Sequence, residues 1–280
     1  VMRPLDQLAK IAEKAVSIGN DLIKTTRPQT ITEKAERDTF TDVDVKIERA
    51  VRSYLDDVTP EIGFFGEEEG GIFRVGNDEC IWALDPIDGT ANFVHGVPLC
   101  GVSLALMRGD RAVVAAIVLP YLDFYYSAVS GQGAFVNGKP IRVSKTTDLP
   151  KAIVAIGDYA VGVAAAEKNK QRVALTAALA ARVERIRMFG SAAHDLVWLA
   201  EGRIDGAVIL SNKIHDVAAG VLIAREAGAR VVDSSGLDHS SRSMHTIAVA
   251  PGVLPGLLEV VQPILKSDRV QEVGEFGAGI

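Results

Sequence analysis

Three stretches of this sequence deliver carboxylates to the ends of apolar runs, where a carboxylate is costly. Ile62-Gly63-Phe64-Phe65-Gly66 runs into Glu67 and Glu68, and Ile81-Trp82-Ala83-Leu84 runs into Asp85-Pro86-Ile87-Asp88-Gly89. Asp216 opens the apolar stretch Val217-Ala218-Ala219-Gly220. Carboxylates gathered at the ends of buried elements repel one another unless a cation neutralises them. Hard divalent ions such as Mg²⁺ take oxygen ligands and keep positions open for water and a phosphate. Each stretch has a plainer reading when taken alone. Asp-Pro-x-Asp-Gly is a turn sequence, Glu67-Glu68-Glu69 a solvated charge run, Asp216 a helix cap, and Asp44 a water-facing residue of an amphipathic helix.

The elements that must carry these groups follow from periodicity. Residues 5–24 place Leu5, Leu8, Ile11, Ala12, Ala15, Ile18, Leu22 and Ile23 at steps of three and four, which predicts a helix. Residues 42–57 repeat the pattern through Val43, Ile47, Val51 and Leu55. Strands are predicted over 81–84, 101–107, 111–119, 124–129 and 141–143, with an Asn137-Gly138 hairpin signal before the last. From about residue 149 strands alternate with helices. Strands are expected over 153–156, 183–188, 206–210, 230–232 and 246–250, and helices over 164–182, 191–201, 217–227 and 254–266. Runs of strands followed by this alternation predict an α+β fold in layers. The halves are 1–148, with most of the acids, and 149–280, with Asp216, packed as one compact unit. The Gly-rich tail 272–280 is expected to fray.

Composition narrows the function classes. The chain has 280 residues, 48% hydrophobic and 24% charged, enough for a large core. Its net charge of −6 offers no general attraction to nucleic acid or to an anionic membrane. Its longest apolar stretches fall short of the ~20 residues of a spanning helix. Cys80 and Cys100 have neither metal-ligand spacing nor a disulfide framework, which predicts a cytoplasmic protein. Both cysteines, Trp82 and Trp198 read as core. No Gly-x-Ser-x-Gly elbow or Walker-type loop is present, so no protein nucleophile is implied.

Taken together, the motifs resemble the inositol monophosphatase family of Mg²⁺-dependent, lithium-inhibited sugar phosphatases. The matching blocks are Thr41-Asp42-Val43-Asp44 with Glu48, Gly66-Glu67-Glu68, and Trp82-Ala83-Leu84-Asp85-Pro86-Ile87-Asp88-Gly89-Thr90-Ala91-Asn92-Phe93. They continue through Gly133 to Gly138, Gly190-Ser191-Ala192-Ala193 and His215-Asp216-Val217-Ala218-Ala219-Gly220, in the family's order over roughly residues 5–265. The resemblance implies a layered α-β-α-β-α sandwich of the sugar phosphatase type, a homodimer, and two or three Mg²⁺ per active site. It assigns one ion to Glu67, Asp85 and the Ile87 carbonyl, and a second to Asp85, Asp88 and Asp216. A third, weaker ion goes with Glu67. Thr90, supported by Asp44, matches the pair that orients the attacking water, with Glu67 counted among the catalytic groups. Gly89, Thr90, Ser191, Ala192 and Asp216 are the expected phosphate and substrate contacts. Lys34 resembles a basic residue near the metals, and His95 lies close by in sequence.

Two departures bear on the substrate. His215 stands where the family commonly has Trp, and is read as a structural substitution. Ile209 stands where inositol-specific members place an acid that contacts the sugar hydroxyls. Ser211, Asn212 and Lys213 are expected to line the pocket face away from the metals, with Lys213 available to a second anionic group. The expected activity is hydrolysis of a small polyol or sugar phosphate, such as inositol 1-phosphate, by metal-activated water. The alternatives are the same chemistry on histidinol phosphate, fructose 1,6-bisphosphate or a nucleotide 3′-phosphate, or a non-catalytic binding or regulatory protein on this fold.

Overall fold

The computed structural model describes residues 3–71 and 79–265. The tail expected to fray lies outside them. Helix α1 (Leu5–Thr25) turns Leu8, Ala12, Ala15, Val16, Gly19 and Ile23 inward. Helix α2 (Asp42–Val58) buries Val43, Ile47, Val51 and Leu55. Between them lies an antiparallel hairpin, β1 (Ile31–Ala35) and β2 (Asp38–Thr41). Its mostly exposed, polar residues carry no alternation of the kind that marks a half-buried strand, so periodicity did not predict it.

Strands β3 (Gly63–Gly66), β4 (Cys80–Asp88), β5 (Gly101–Arg108), β6 (Arg111–Leu119), β7 (Phe124–Val129), β8 (Ala134–Val136) and β9 (Lys139–Pro140) form one sheet in chain order. The β3–β4 pair is parallel and the rest are antiparallel. Asn137 and Gly138 both have positive φ, 48° and 73°, as the predicted tight hairpin requires. The strand expected over 141–143 does not form. The Ile141 N–H still bonds Ala134, but the Val143 N–H donates to Ala227, so the chain is already crossing to the second half.

Five further strands, β10 (Ile153–Ile156), β11 (Arg185–Arg187), β12 (Gly206–Ile209), β13 (Arg230–Val232) and β14 (Thr246–Val249), form a second sheet in the order β11-β10-β12-β14-β13. Around it are α4 (Ala165–Ala180), α5 (Ala192–Ala200), α6 (Ile214–Glu226) and α7 (Leu254–Leu265), while α3 (Thr90–His95) follows β4 directly.

The layers follow from which side chains share a core. Trp82, Leu84, Val102, Leu104 and Leu106 pack with α1 and α2 on one face of the first sheet. Ile81, Ala83, Ala105 and Met107 alternate with them and pack with α5 and α6 on the other. The far face of the second sheet packs with α4 and α7 through Val154, Val208, Ile247, Leu175 and Leu257. The result is the expected α-β-α-β-α stack. Central strands apolar on both faces are what two flanking helical layers demand. Among the described residues no helix is long and apolar enough to cross a membrane. Leu104 is fully buried at the centre of the first sheet. Leu104→Ala should lower unfolding stability by about 2–5 kcal/mol, read from the denaturant midpoint, because the interlocked layers cannot collapse onto the cavity.

Candidate active site

The site lies where β3 and β4 end, side by side and parallel. In a regular strand Asp85 and Asp88, three residues apart, would point to opposite faces. The β4–β5 register slips between them, Asp85 standing opposite Ser103 and Asp88 opposite Gly101. This bulge carries Pro86, which has no N–H to lose, and it brings both acids to one side. Asp85 is buried and accepts the Ile87 N–H at 3.0 Å. Burial, then the charges of Glu67, Asp88 and Asp216, push its carboxyl well above the usual range.

Asp88 is also buried, and it sits at the N-terminus of α5. It accepts Ser191 Oγ at 2.6 Å, the Ala192 N–H at 3.3 Å and the Ala193 N–H. Burial is the main influence on its carboxyl and raises it, opposed by these donors. The donors of Ser191 and Ala192 are therefore committed to Asp88, and the two residues act first as its supports rather than as free substrate contacts.

Glu67 continues β3, its N–H reaching Leu84 O at 3.2 Å. A fully buried acid, Glu48, shapes this turn by accepting the N–H groups of Glu68 at 2.8 Å and Glu69 at 2.9 Å. A side chain at Gly66 would put its Cβ 2.2 Å from the Glu48 carboxyl, so only glycine lets the acid reach the turn. Lys34, from the unforeseen hairpin, pairs with Glu67 at 3.2 Å and Glu68 at 2.6 Å. Burial pushes the Glu68 carboxyl up to about 7.

Asp44 does not face water. It is buried, closing a capping box with Thr41 at the start of α2. Its Oδ2 accepts the Thr41 N–H at 2.8 Å, while Oδ1 lies 3.1 Å from Thr90 Oγ1. Thr90 Oγ1 is also 3.0 Å from the Ile87 carbonyl oxygen, which brings that carbonyl to the site. Gly89, with φ 89°, allows the chain to turn from β4 into α3, and a Cβ there would meet the carbonyls of Leu99 and Gly190.

Asp216 is not a cap. Helix α6 starts at Ile214, with Lys213 at the cap position, so Asp216 lies within its first turn. Directly before it, His215 Nε2 stands 3.0 Å from Asp216 Oδ1. Ligand atoms of Glu67, His215 and Asp216 lie within 4.8 Å of one another.

The segment before α6 divides. Asn212 turns away from the acids, its amide donating to the Ser240 and Ser243 carbonyls at 2.9 and 2.6 Å and lying 3.0 Å from His239 Nε2. Lys213 lies toward the acid cluster rather than away from it. Burial works to lower its ammonium, but Asp216, Glu67, Asp38 and Asp85 together hold it above its ordinary value. Ser211, Lys213 and Ile209 line a cavity of about 440 Å³ with Asp38, Asp88 and Arg172. His95 is exposed at the end of α3. Cys100 is buried, and burial pushes its thiol up to about 12, which leaves no thiolate for nucleophilic work.

Comparison with known proteins interprets this geometry. The model of the inositol monophosphatase family matches residues 4–265. This chain belongs to that family. It is 34% identical over 236 residues to inositol-1-monophosphatase ImpA of Mycolicibacterium smegmatis, covering 84% of each chain. It is 32% identical over 238 residues to a fructose-1,6-bisphosphatase/inositol-1-monophosphatase of Thermotoga maritima, covering 85% of this chain and 86% of that one. The crystal structure of extragenic suppressor protein SuhB from Bartonella henselae superposes with a TM-score of 0.82 at 31% identity, covering 90% of this chain and 97% of that one. As a family member it is a phosphoric monoester hydrolase, an enzyme acting on small phosphate esters.

Sequence reasoning missed the hairpin that carries Asp38, the supporting role of Glu48, and α4's Arg172 at the cavity. Glu48 entered only as part of a matching block, and Arg172 left no local signal, since the place of each is set by distant partners. Gly66→Ala should cost about 1–3 kcal/mol by overpacking against Glu48. It should also cut kcat/KM by roughly 100-fold through displacement of Glu67. Thermal unfolding and steady-state kinetics on the same preparation check both effects.

Proposed function

We propose that this enzyme hydrolyses a small polyol or sugar phosphate with water as the nucleophile, assisted by divalent ions of which Mg²⁺ is the expected one. The observation that carries the reading is the convergence of Glu67, Asp85, Asp88 and Asp216 around a buried Asp85. Such a group of acids is tolerable as carboxylates only beside a cation. The donors are mostly oxygens, carboxylates and one carbonyl, which suits a hard ion. Glu67, Asp85, the Ile87 carbonyl, Asp88 and Asp216 would hold the ions. Bound there, divalent ions would supply Lewis acidity toward the phosphate and lower the pKa of water.

The remaining work falls to the chain's own groups. If the Thr90 hydroxyl donates to Asp44, its oxygen is left to accept a hydrogen bond from the attacking water and so aim it. Asp44 is fixed for this role by two bonds from Thr41. Ser191 and the first N–H groups of α5 hold Asp88 in place. The buried Cys100 thiol is held protonated, and the hydroxyls of Thr90 and Ser191 are engaged by Asp44 and Asp88, which supports water as the nucleophile.

The cavity beside the acids favours a second reading of the substrate. Beside the apolar Ile209 and the acids Asp38, Asp158 and Asp195, it carries Lys168, Arg172 and Lys213, cations suited to a second phosphate or a carboxylate rather than to a bare polyol. A relative named as a fructose-1,6-bisphosphatase/inositol-1-monophosphatase supports bisphosphates as candidates.

Asp85→Asn should abolish nearly all turnover while thermal stability holds or rises, since one repelling charge is removed; substantial retained turnover would sink the shared-ligand role. Thr90→Ala should lower kcat more than it raises KM, because water orientation acts mainly in the transition state. Phosphate release from a panel of monoesters and bisphosphates, each with Mg²⁺ and with chelator, tests the reading as a whole. Activity indifferent to chelator would refute it. On the same panel Lys168→Ala should raise KM several-fold for bisphosphates only, an effect that fades as salt rises.

A further inference from the structure

His215 is more than a replacement for a bulky neighbour of Asp216. Both its ring nitrogens are buried, and neither makes a hydrogen bond. The side chain as a whole is only 11% exposed. The Phe65 ring lies against it, with centroids 5.9 Å apart. Buried polar groups are almost always satisfied, so an imidazole with two unsatisfied nitrogens calls for something to bind.

The surroundings say what that is. Nε2 lies 3.0 Å from Asp216 Oδ1 without hydrogen-bond geometry. A Glu67 oxygen completes a set of three ligand atoms within 4.8 Å of one another. Two ligand atoms each about 2.1 Å from one ion, and at right angles about it, stand about 3.0 Å apart. That is the His215–Asp216 spacing. Glu67 comes from the turn directly after β3, and His215 and Asp216 from the first turn of α6. Glu67 and His215 face a shared cavity of about 350 Å³ with Lys34 and Lys213. The tryptophan expected at this position could not serve, because an indole N–H is a donor only.

We propose that His215 is a nitrogen ligand to a divalent ion held between Glu67 and Asp216, and that it biases this ion position toward first-row transition ions over Mg²⁺. Imidazole suits such ions, whereas Mg²⁺ prefers oxygen donors and gives up its water reluctantly. The inference rests on the metal-dependent reading above and adds the identity of the ion one position selects. It concerns binding alone, so no protonation change of the neighbouring acids is needed.

The test uses Mn²⁺ and the full chain without substrate. Electron paramagnetic resonance counts bound Mn²⁺, and its pulsed form detects coupling to a directly bound ¹⁴N. The wild-type protein should show that coupling. His215→Phe, which keeps a ring against Phe65, and His215→Gln, which keeps polarity, should both lose it. In both variants the affinity for Mn²⁺ relative to Mg²⁺ should fall roughly tenfold or more, the scale on which losing a group that supports a metal is felt. Mn²⁺ bound with no ¹⁴N coupling in the wild type, or coupling that survives in both variants, overturns the role of His215 and leaves the metal-dependent phosphatase standing. Failure of the wild type to bind either ion overturns both readings. A wild-type spectrum of bound Mn²⁺ without that coupling overturns the role of His215 even if neither variant folds.

Discussion

Mutual repulsion among carboxylates that the fold forces together is the constraint on which this molecule is organised. Asp85 is 3% exposed, Asp88 is 7% exposed, and the charges of Glu67 and Asp216 reach Asp85 as well. No single one of these acids is exceptional. Their convergence is, because burial removes the water that would otherwise screen them. The fold therefore has to hold an arrangement that electrostatics alone would open, and each acid is restrained by neighbouring groups of the chain.

Those restraints come from different layers. Asp88 is held by the N-terminus of α5, where free N–H groups welcome a negative charge. Asp44 is held by the capping box at the start of α2. Glu67 is placed by a turn that Glu48 clasps from beneath. Asp216 stands in the first turn of α6, which is itself packed between the two sheets. A phosphate ester would thus meet groups delivered by several separate elements, all anchored in continuous cores. The apolar alternation of β4 and β5 has a purpose beyond stability, since it is what clamps the ends of those elements in place.

The two lysines near the acids show how far charge is balanced without a metal. Lys34 pairs directly with Glu67 and Glu68, and Lys213 sits within the field of Asp216, Glu67, Asp38 and Asp85. Both lie toward the solvent side of the cluster, beside the cavity, while Asp85 is deepest. Neutralisation is therefore strongest at the rim and weakest at Asp85, which is where a small divalent ion is most needed.

Much of this was legible in the residues themselves. The periodicity of residues 5–24 and 42–57, the two-faced apolar runs of β4 to β6, and the Asn137-Gly138 turn are local properties, and local properties survive into the fold. The acids at the ends of those runs were legible for the same reason, since a carboxylate after a buried strand needs an explanation wherever the strand goes. What local pattern could not reveal depended on partners far away in the chain. The β1–β2 hairpin is polar and finds its place through contacts such as Lys34 with Glu67. Asp44 looked solvent-facing by spacing, yet Thr41 and Thr90 enclose it. Asn212 looked like a substrate contact by proximity to Asp216, yet α6 begins just beyond it and its amide is spent on Ser240 and Ser243. A side chain's neighbours in sequence say which way it can turn; which groups it meets there is settled by how the layers close over it.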